Sequence, residues 1–155
     1  SCYGEPIWMG TDYHAWKDAL VKDFMLKVSQ YFFLNRLERD SVSGTGESRI
    51  AWYSDGVSVS LKDSTVMQHE RVLRKQNTLC MPAVWRSDRG MLLYSEDAGT
   101  NASFDVPYNW GNAERAKLYL ITPEKGLVYQ KYIKVKCGKI KMDIEGRTPY
   151  YVIPQ

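Results

Sequence analysis

The sequence has few cysteines and none of the spacings on which cysteine-dependent folds rely. Cys2, Cys80 and Cys137 are odd in number and far apart, which indicates neither a disulfide framework nor a zinc site. No apolar run approaches the ~20 residues of a membrane-spanning helix, and no signal sequence is visible at the start of the chain. We therefore expect no metal, no cofactor and no membrane span.

The sequence also has little net charge. Its 21 basic and 18 acidic side chains leave +3, which is too little to predict a nucleic-acid partner. A length of 155 residues suits one main domain with its own core. Aromatic residues are abundant instead, with 11 tyrosines and 5 tryptophans. These amphipathic rings favour β-sheet packing and the recognition of sugars or peptides.

Hydrophobic spacing predicts one helix near the start of the chain. From Tyr13 to Phe32 apolar residues recur every three or four positions, as they do on one face of a helix. Residues 30–37 could extend this helix, but their consecutive apolar side chains favour a buried strand. The polar stretch 40–48 predicts a loop. We therefore divide the chain into an N-terminal segment, 1–45, and a β-sandwich, 46–155.

The chain after this loop has the pattern of short β-strands. Asp55 and Gly56 predict a tight turn before an alternating strand at 57–61. Further strands are expected at 66–73, 78–85, 91–95, 102–106, 117–122 and 150–153. Alternating apolar residues on both sides of Gly138 predict a hairpin with one buried face. The predicted fold class is mainly β: an antiparallel β-sandwich preceded by one N-terminal α-helix.

No catalytic motif in the sequence is complete. A glycosidase needs two carboxylates across one sugar bond, and no such pair is indicated. Asp55 is better explained by turn chemistry. His69 and Glu70 resemble the start of a zinc-protease motif, but residues 71–74 contain no second histidine. No serine or cysteine nucleophile signature appears. We predict no catalytic or metal-binding residue and an inactive isolated chain.

Two groups of residues could bind a ligand. Tyr108, Asn109 and Trp110 combine an aromatic pair with an amide, which could stack on a sugar and bind its hydroxyl groups. Trp110 could equally close the end of a sandwich as a core residue. The second group lies on the polar face of the expected hairpin and consists of Lys134, Lys136, Lys139 and Lys141. These lysines could attract an anionic glycan, although keeping a strand edge soluble is the simpler interpretation.

Short motifs keep a characteristic order over roughly residues 50–154. They are Glu70-Arg71-Val72-Leu73, Asn77-Thr78-Leu79-Cys80 with Pro82 and Trp85, Leu93-Tyr94, Val106-Pro107 with Asn109-Trp110, Lys117-Leu118-Tyr119 and Thr148-Pro149-Tyr150. This pattern resembles the region after the catalytic barrel of bacterial endo-α-N-acetylgalactosaminidases, which are glycoside hydrolases. Residues 7–38 look like the last helix and strand of that barrel.

The resemblance implies an accessory β-sandwich domain of a secreted or cell-surface glycoside hydrolase acting on mucin-type O-glycans. That family releases Galβ1-3GalNAc from serine or threonine by a retaining mechanism, with two carboxylates on barrel strands. A barrel of about 250 residues does not fit in this chain, so no catalytic residue is carried over. The expected partners are the catalytic barrel of the parent enzyme and an O-glycan or glycoprotein. The alternatives are a stand-alone carbohydrate-binding module and a protein-interaction β-sandwich.

Overall fold

A computed structural model describes residues 25–155, which form one α-helix and twelve β-strands. Helix α1 is Met25–Asn35. The strands are β1 (Arg39–Ser43), β2 (Ile50–Tyr53), β3 (Val57–Ser60), β4 (Thr65–Gln68), β5 (Arg71–Lys75), β6 (Thr78–Pro82), β7 (Met91–Ser95), β8 (Gly99–Asp105), β9 (Arg115–Thr122), β10 (Gly126–Lys134), β11 (Lys139–Ile144) and β12 (Tyr150–Pro154). The expected class, mainly β and antiparallel with one helix before the strands, is confirmed. In this described part, no helix is long and apolar enough to cross a membrane.

Ten strands form one large antiparallel sheet, and β8 pairs with β11 in a second sheet. Strands β1 to β7 follow one another as a meander, and β9 pairs with β10 as a hairpin. Strand β12 lies between these two parts, with Tyr151 opposite Leu92 of β7 on one side and Tyr119 of β9 on the other. The last strand in sequence therefore joins the meander to the hairpin.

Alternating side chains of the central strands supply two separate cores. Leu92 of β7 lies in a core beneath α1, whereas its neighbour Met91 lies in a core beneath the β8–β11 sheet. We call these the helix-side core and the small-sheet core. Phe33 of α1 closes the first and Ile140 of β11 closes the second. The middle of the large sheet is thus buried on both faces.

The helix and the fourth strand differ from the sequence predictions. Residues 30–37 were expected as a strand, but α1 continues to Asn35 because Phe33 faces the helix-side core. The single strand expected at 66–73 is instead two strands, β4 and β5, which reverse at His69 and Glu70. The predicted helix residues 13–24 lie outside the described residues, and the boundary at residue 45 stays a prediction.

Two further predictions are wrong for reasons of topology. The loop expected at 40–48 overlaps β1 (Arg39–Ser43), whose five residues are all exposed, so no alternation marks this strand in the sequence. The chain does turn at Gly138 as expected, but β11 then pairs with β8 in the small sheet instead of with β10. Strand β11 still buries its predicted apolar face, because that face lies in the small-sheet core.

Candidate functional site

Three turns meet at one end of β2–β5 and bring together Asp55, His69 and Tyr108. Asp55 is in the β2–β3 turn, where its φ of 59° and the 68° of Gly56 give the twist of a two-residue hairpin turn. This turn was predicted from the sequence and is confirmed. His69 is in the β4–β5 turn, and Tyr108 begins a short 3-10 turn after β8. We call these three residues the Asp55–His69–Tyr108 cluster.

The β4–β5 turn holds two consecutive non-glycine residues in the left-handed region, His69 at φ 45° and Glu70 at φ 67°. This conformation costs roughly 1–2 kcal/mol per residue in side chains with a Cβ. Contacts with the β2–β3 turn hold it in place: the Gln68 amide donates to the Asp55 carboxylate at 2.8 Å, and the His69 N–H donates to the Gly56 carbonyl at 3.1 Å. A two-residue hairpin turn between Gln68 and Arg71 requires positive φ at both central positions, so the hairpin itself imposes this conformation.

Glycine is required at position 56 because the His69 ring lies directly on it. A Cβ there would come 2.4 Å from the imidazole, so a side chain would displace the ring. On its other side the imidazole meets the Tyr108 ring edge to face, with centroids 4.4 Å apart at 63°. The imidazole is therefore held between the β2–β3 turn and Tyr108.

The Tyr108 hydroxyl is shared between the two oxygens of the Asp55 carboxylate, at 2.9 and 3.1 Å. Burial, and then the hydrogen bond and negative charge of Asp55, raise the pKa of Tyr108, so the hydroxyl remains a donor at neutral pH. His69 Nε2 lies 3.7 Å from Asp55 Oδ1, which is too long for a hydrogen bond. Because Tyr108 is 41% exposed, an aromatic ring and a carboxylate are presented together to solvent.

Trp110 points the opposite way from Tyr108. It is only 2% exposed, packs in the small-sheet core, and donates its indole N–H to the Arg89 carbonyl at 2.7 Å. Asn109 is at the surface, where its backbone carbonyl accepts from the Arg89 guanidinium at 3.2 Å. The structure therefore does not bring Tyr108 and Trp110 together as an exposed aromatic pair. Binding through Tyr108 and Asn109 stays a prediction.

The β6–β7 loop that carries Arg89 is fixed by Asp88. Its carboxylate accepts from the Tyr151 hydroxyl at 2.6 Å, the Gly90 N–H at 2.9 Å and the Arg86 guanidinium at 3.0 Å. Burial acts to raise the pKa of Asp88, but these hydrogen bonds outweigh it and the pKa is lowered. The charged loop thus holds the Arg89 carbonyl at a fixed position for the neighbouring 3-10 turn.

Cys80 and Asp105 are engaged in structural contacts, whereas Cys137 is a free thiol at the surface. Cys80 is buried and donates to the Val72 carbonyl at 3.2 Å, and burial, assisted by the nearby Asp105 charge, raises its pKa to about 12. Asp105 accepts the Val72 N–H and pairs with Lys139. Among residues 25–155, no group of three or more His, Cys, Asp or Glu side chains is placed to hold a metal ion. The arrangement suits stacking and hydrogen bonding.

Sequence reasoning considered the members of this cluster one at a time and did not predict their association. Asp55 was explained as a turn residue and His69 as an incomplete zinc motif. Asp55 and Tyr108 are 53 positions apart, and no short-range pattern connects them. The β2–β3 and β4–β5 turns are the feature from which this association could have been predicted, because turns at the same end of a meander lie close together.

No family model and no curated protein matches the chain. Among solved structures, it is similar to CelM2, a bifunctional glucanase-xylanase from a metagenome library, with a TM-score of 0.41 and 12% identity over 58% of this chain and 18% of that one. It is also similar to a GH30 endoxylanase from Clostridium papyrosolvens C71, with a TM-score of 0.34 and 10% identity over 81% of this chain and 25% of that one.

The chain spans a quarter or less of each of these two structures. The TM-scores and identities are too low to assign a fold family or a function. Neither structure is described as an endo-α-N-acetylgalactosaminidase, so the resemblance to that family remains a prediction.

Proposed function

We propose that this chain is an accessory β-sandwich domain of a secreted glycoside hydrolase acting on mucin-type O-glycans, without a catalytic carboxylate pair of its own. The observation that carries the carbohydrate part is the Tyr108 ring, half-exposed and held by the Asp55 carboxylate. The sequence resemblance over residues 50–154 supports the enzyme class and the glycan. The activity itself would belong to the catalytic barrel of the parent enzyme.

The Asp55–His69–Tyr108 cluster can contact a sugar in two complementary ways. The Tyr108 ring offers an apolar face to the C–H groups of a pyranose, while Asp55 can accept hydrogen bonds from its hydroxyl groups. Because the Tyr108 hydroxyl is already bonded to Asp55, little side-chain freedom remains to be lost on binding. A single exposed ring with one carboxylate predicts weak binding, with a Kd of about 1 mM.

Docking to the catalytic barrel is supported by a second observation. Large apolar side chains are exposed on α1, on β1 and β2 and in the turn after β3, among them Tyr31 at 63% and Leu61 at 60%. Val42 and Trp52 lie on opposite faces of the sheet, so a docked domain would cover only some of these side chains. The same observation would fit the protein-interaction alternative, whereas an isolated carbohydrate-binding module has no need of it.

The test is a titration of this chain with Galβ1-3GalNAc, monitored by tryptophan fluorescence and NMR shifts, with the same samples assayed for disaccharide release from a mucin-type glycopeptide. Tyr108→Ala removes the stacking ring, and Tyr108→Phe keeps it without the Asp55 bond. Tyr129→Ala is the matched control, because Tyr129 is a similarly exposed tyrosine on the hairpin β9–β10.

We expect saturable binding without release, lost in Tyr108→Ala, retained in part in Tyr108→Phe and unchanged in Tyr129→Ala. Release of disaccharide by the chain alone would contradict the accessory role. Absence of binding, or equal loss in Tyr129→Ala, would remove Tyr108 from carbohydrate recognition.

A further inference from the structure

Strands β9 and β10 carry a group of tyrosines and cations on the helix side of the large sheet, at its outer edge. Tyr129 lies directly opposite Tyr119, and Tyr119 lies opposite the buried Tyr151. Cross-strand partners share one face, so this row runs from the core to the surface. We call the group the tyrosine–cation face, and its members are Arg115, Lys117, Tyr119, Tyr129, Tyr132 and Lys134.

A β-bulge in β10 makes this face possible. Tyr129 and Tyr132 are three residues apart and would point to opposite sides of a regular strand. The pairing register shifts between Tyr129 and Lys131, so Tyr132 falls opposite Lys117 and returns to the same side as Tyr129. Their rings meet edge to face with centroids 5.9 Å apart, and they are 49% and 45% exposed.

Two cations lie over the Tyr132 ring, and a third, Lys134, is their neighbour across the strands. The Arg115 guanidinium lies 4.7 Å and the Lys117 ammonium 5.7 Å from its centroid. Arg115 also stands directly opposite Lys134, and like charges in that position are destabilising. Neither β9 nor β10 contains an acidic residue, and none of the three cations has an ion pair with another residue of the described chain.

We propose that the tyrosine–cation face binds an anionic glycan, one that bears carboxylate or sulfate groups. An anion bound by Arg115, Lys117 and Lys134 beside Tyr132 would relieve the repulsion among these cations, and the guanidinium can donate two parallel hydrogen bonds to it. Tyr129 would supply the apolar contact to the sugar ring beside the anionic group.

A glycan fits this face better than a nucleic acid does. Nucleic-acid affinity depends on many phosphate contacts, whereas this face has three clustered cations and the whole chain has a net charge of only +3. The face lies on the helix side, while Tyr108 follows β8 of the small sheet. The inference therefore goes beyond the proposed function and is independent of the Asp55–His69–Tyr108 cluster.

The test compares binding of three probes to the intact chain at 50 mM and 300 mM salt: an oligogalacturonate, dextran sulfate and unmodified dextran. The triple variant Arg115→Gln/Lys117→Gln/Lys134→Gln removes the cations. Its matched control is Arg39→Gln/Lys62→Gln/Lys75→Gln, which removes the same charge from exposed positions on β1, in the β3–β4 turn and on β5. Tyr129→Ala removes the ring alone, and Tyr108→Ala checks independence from the other site.

We expect one or both anionic glycans to bind, dextran not to bind, and high salt to weaken binding. The triple variant should lose about tenfold or more in affinity and its control less than about twofold, with Tyr129→Ala in between and Tyr108→Ala unchanged.

Three results would overturn the proposal. One is equal affinity of the triple variant and its charge-matched control. Another is anion binding unaffected by Tyr129→Ala, which would mean that charge alone is recognised. The third is tighter binding of a thymidine oligonucleotide than of either anionic glycan at the same salt.

Discussion

Replacing Trp110 by alanine should destabilise the fold strongly, because Trp110 is a core residue despite its place in a surface turn. Burial of a large aromatic side chain predicts a loss of about 3–5 kcal/mol when it is truncated. Part of that loss is the hydrogen bond to the Arg89 carbonyl, which would be left unsatisfied at a cost of about 1–3 kcal/mol. Trp110→Phe should therefore cost about half as much as Trp110→Ala.

Urea unfolding followed by circular dichroism measures this directly. With a slope of about 2 kcal/mol per molar for a chain of this size, Trp110→Ala should lower the midpoint by about 2 M at an unchanged slope. Tyr108→Ala, two residues away on the exposed side of the turn, is the control and should cost less than about 1 kcal/mol. A midpoint for Trp110→Ala within about 0.5 M of wild type would refute the packing argument.

Three further predictions concern the turns, the acid range and the thiols. Glu70→Gly should raise the free energy of unfolding by about 1 kcal/mol and the melting temperature by roughly 2–4 °C, since it relieves a left-handed residue; a lower melting temperature would show that the side chain supports the turn. Because the pKa of Asp88 is lowered on folding, its stabilisation is present above about pH 4 and is lost as pH falls through the folded pKa. Tyr151→Phe should therefore lose less stability than wild type between pH 5 and about pH 2 in urea titrations, and equal losses would contradict this. In a Cys2→Ser background, a thiol reagent should modify exposed Cys137 at once and Cys80 only after unfolding, so two fast thiols would contradict the burial of Cys80.

The strands that could be predicted from the sequence are those with one buried face. Met91–Ser95 was predicted with its observed bounds, and β11 was found through the alternation of Ile140, Met142 and Ile144. Strand β1 was missed because all its side chains are exposed, and a strand without a buried face has no alternation. The partner of β11 was also missed, because pairing depends on which core a strand can close, and local sequence does not carry that information.

The candidate site was predictable only in its parts. Tyr108 was identified only as one member of the candidate group Tyr108, Asn109 and Trp110, and the Asp55 turn was identified from its following glycine. Trp110 could not be separated from Tyr108 by sequence, because adjacent positions in a short 3-10 turn point in different directions depending on the core beneath them. The cation arrangement around Tyr132 depends on a bulge that the sequence does not mark with glycine or proline.

The central place of β12 has a consequence for how the chain reaches its native state. Until Tyr150–Pro154 has been synthesised, β7 and β9 have no partner on their inner edges, and neither core can be sealed. Before that point the meander and the hairpin are two separate sheets, and the unpaired edges of β7 and β9 are prone to pair with strands of another chain. Because β12 follows β7 and β9 in the chain, the two parts of the large sheet can be joined only after β12 has been synthesised.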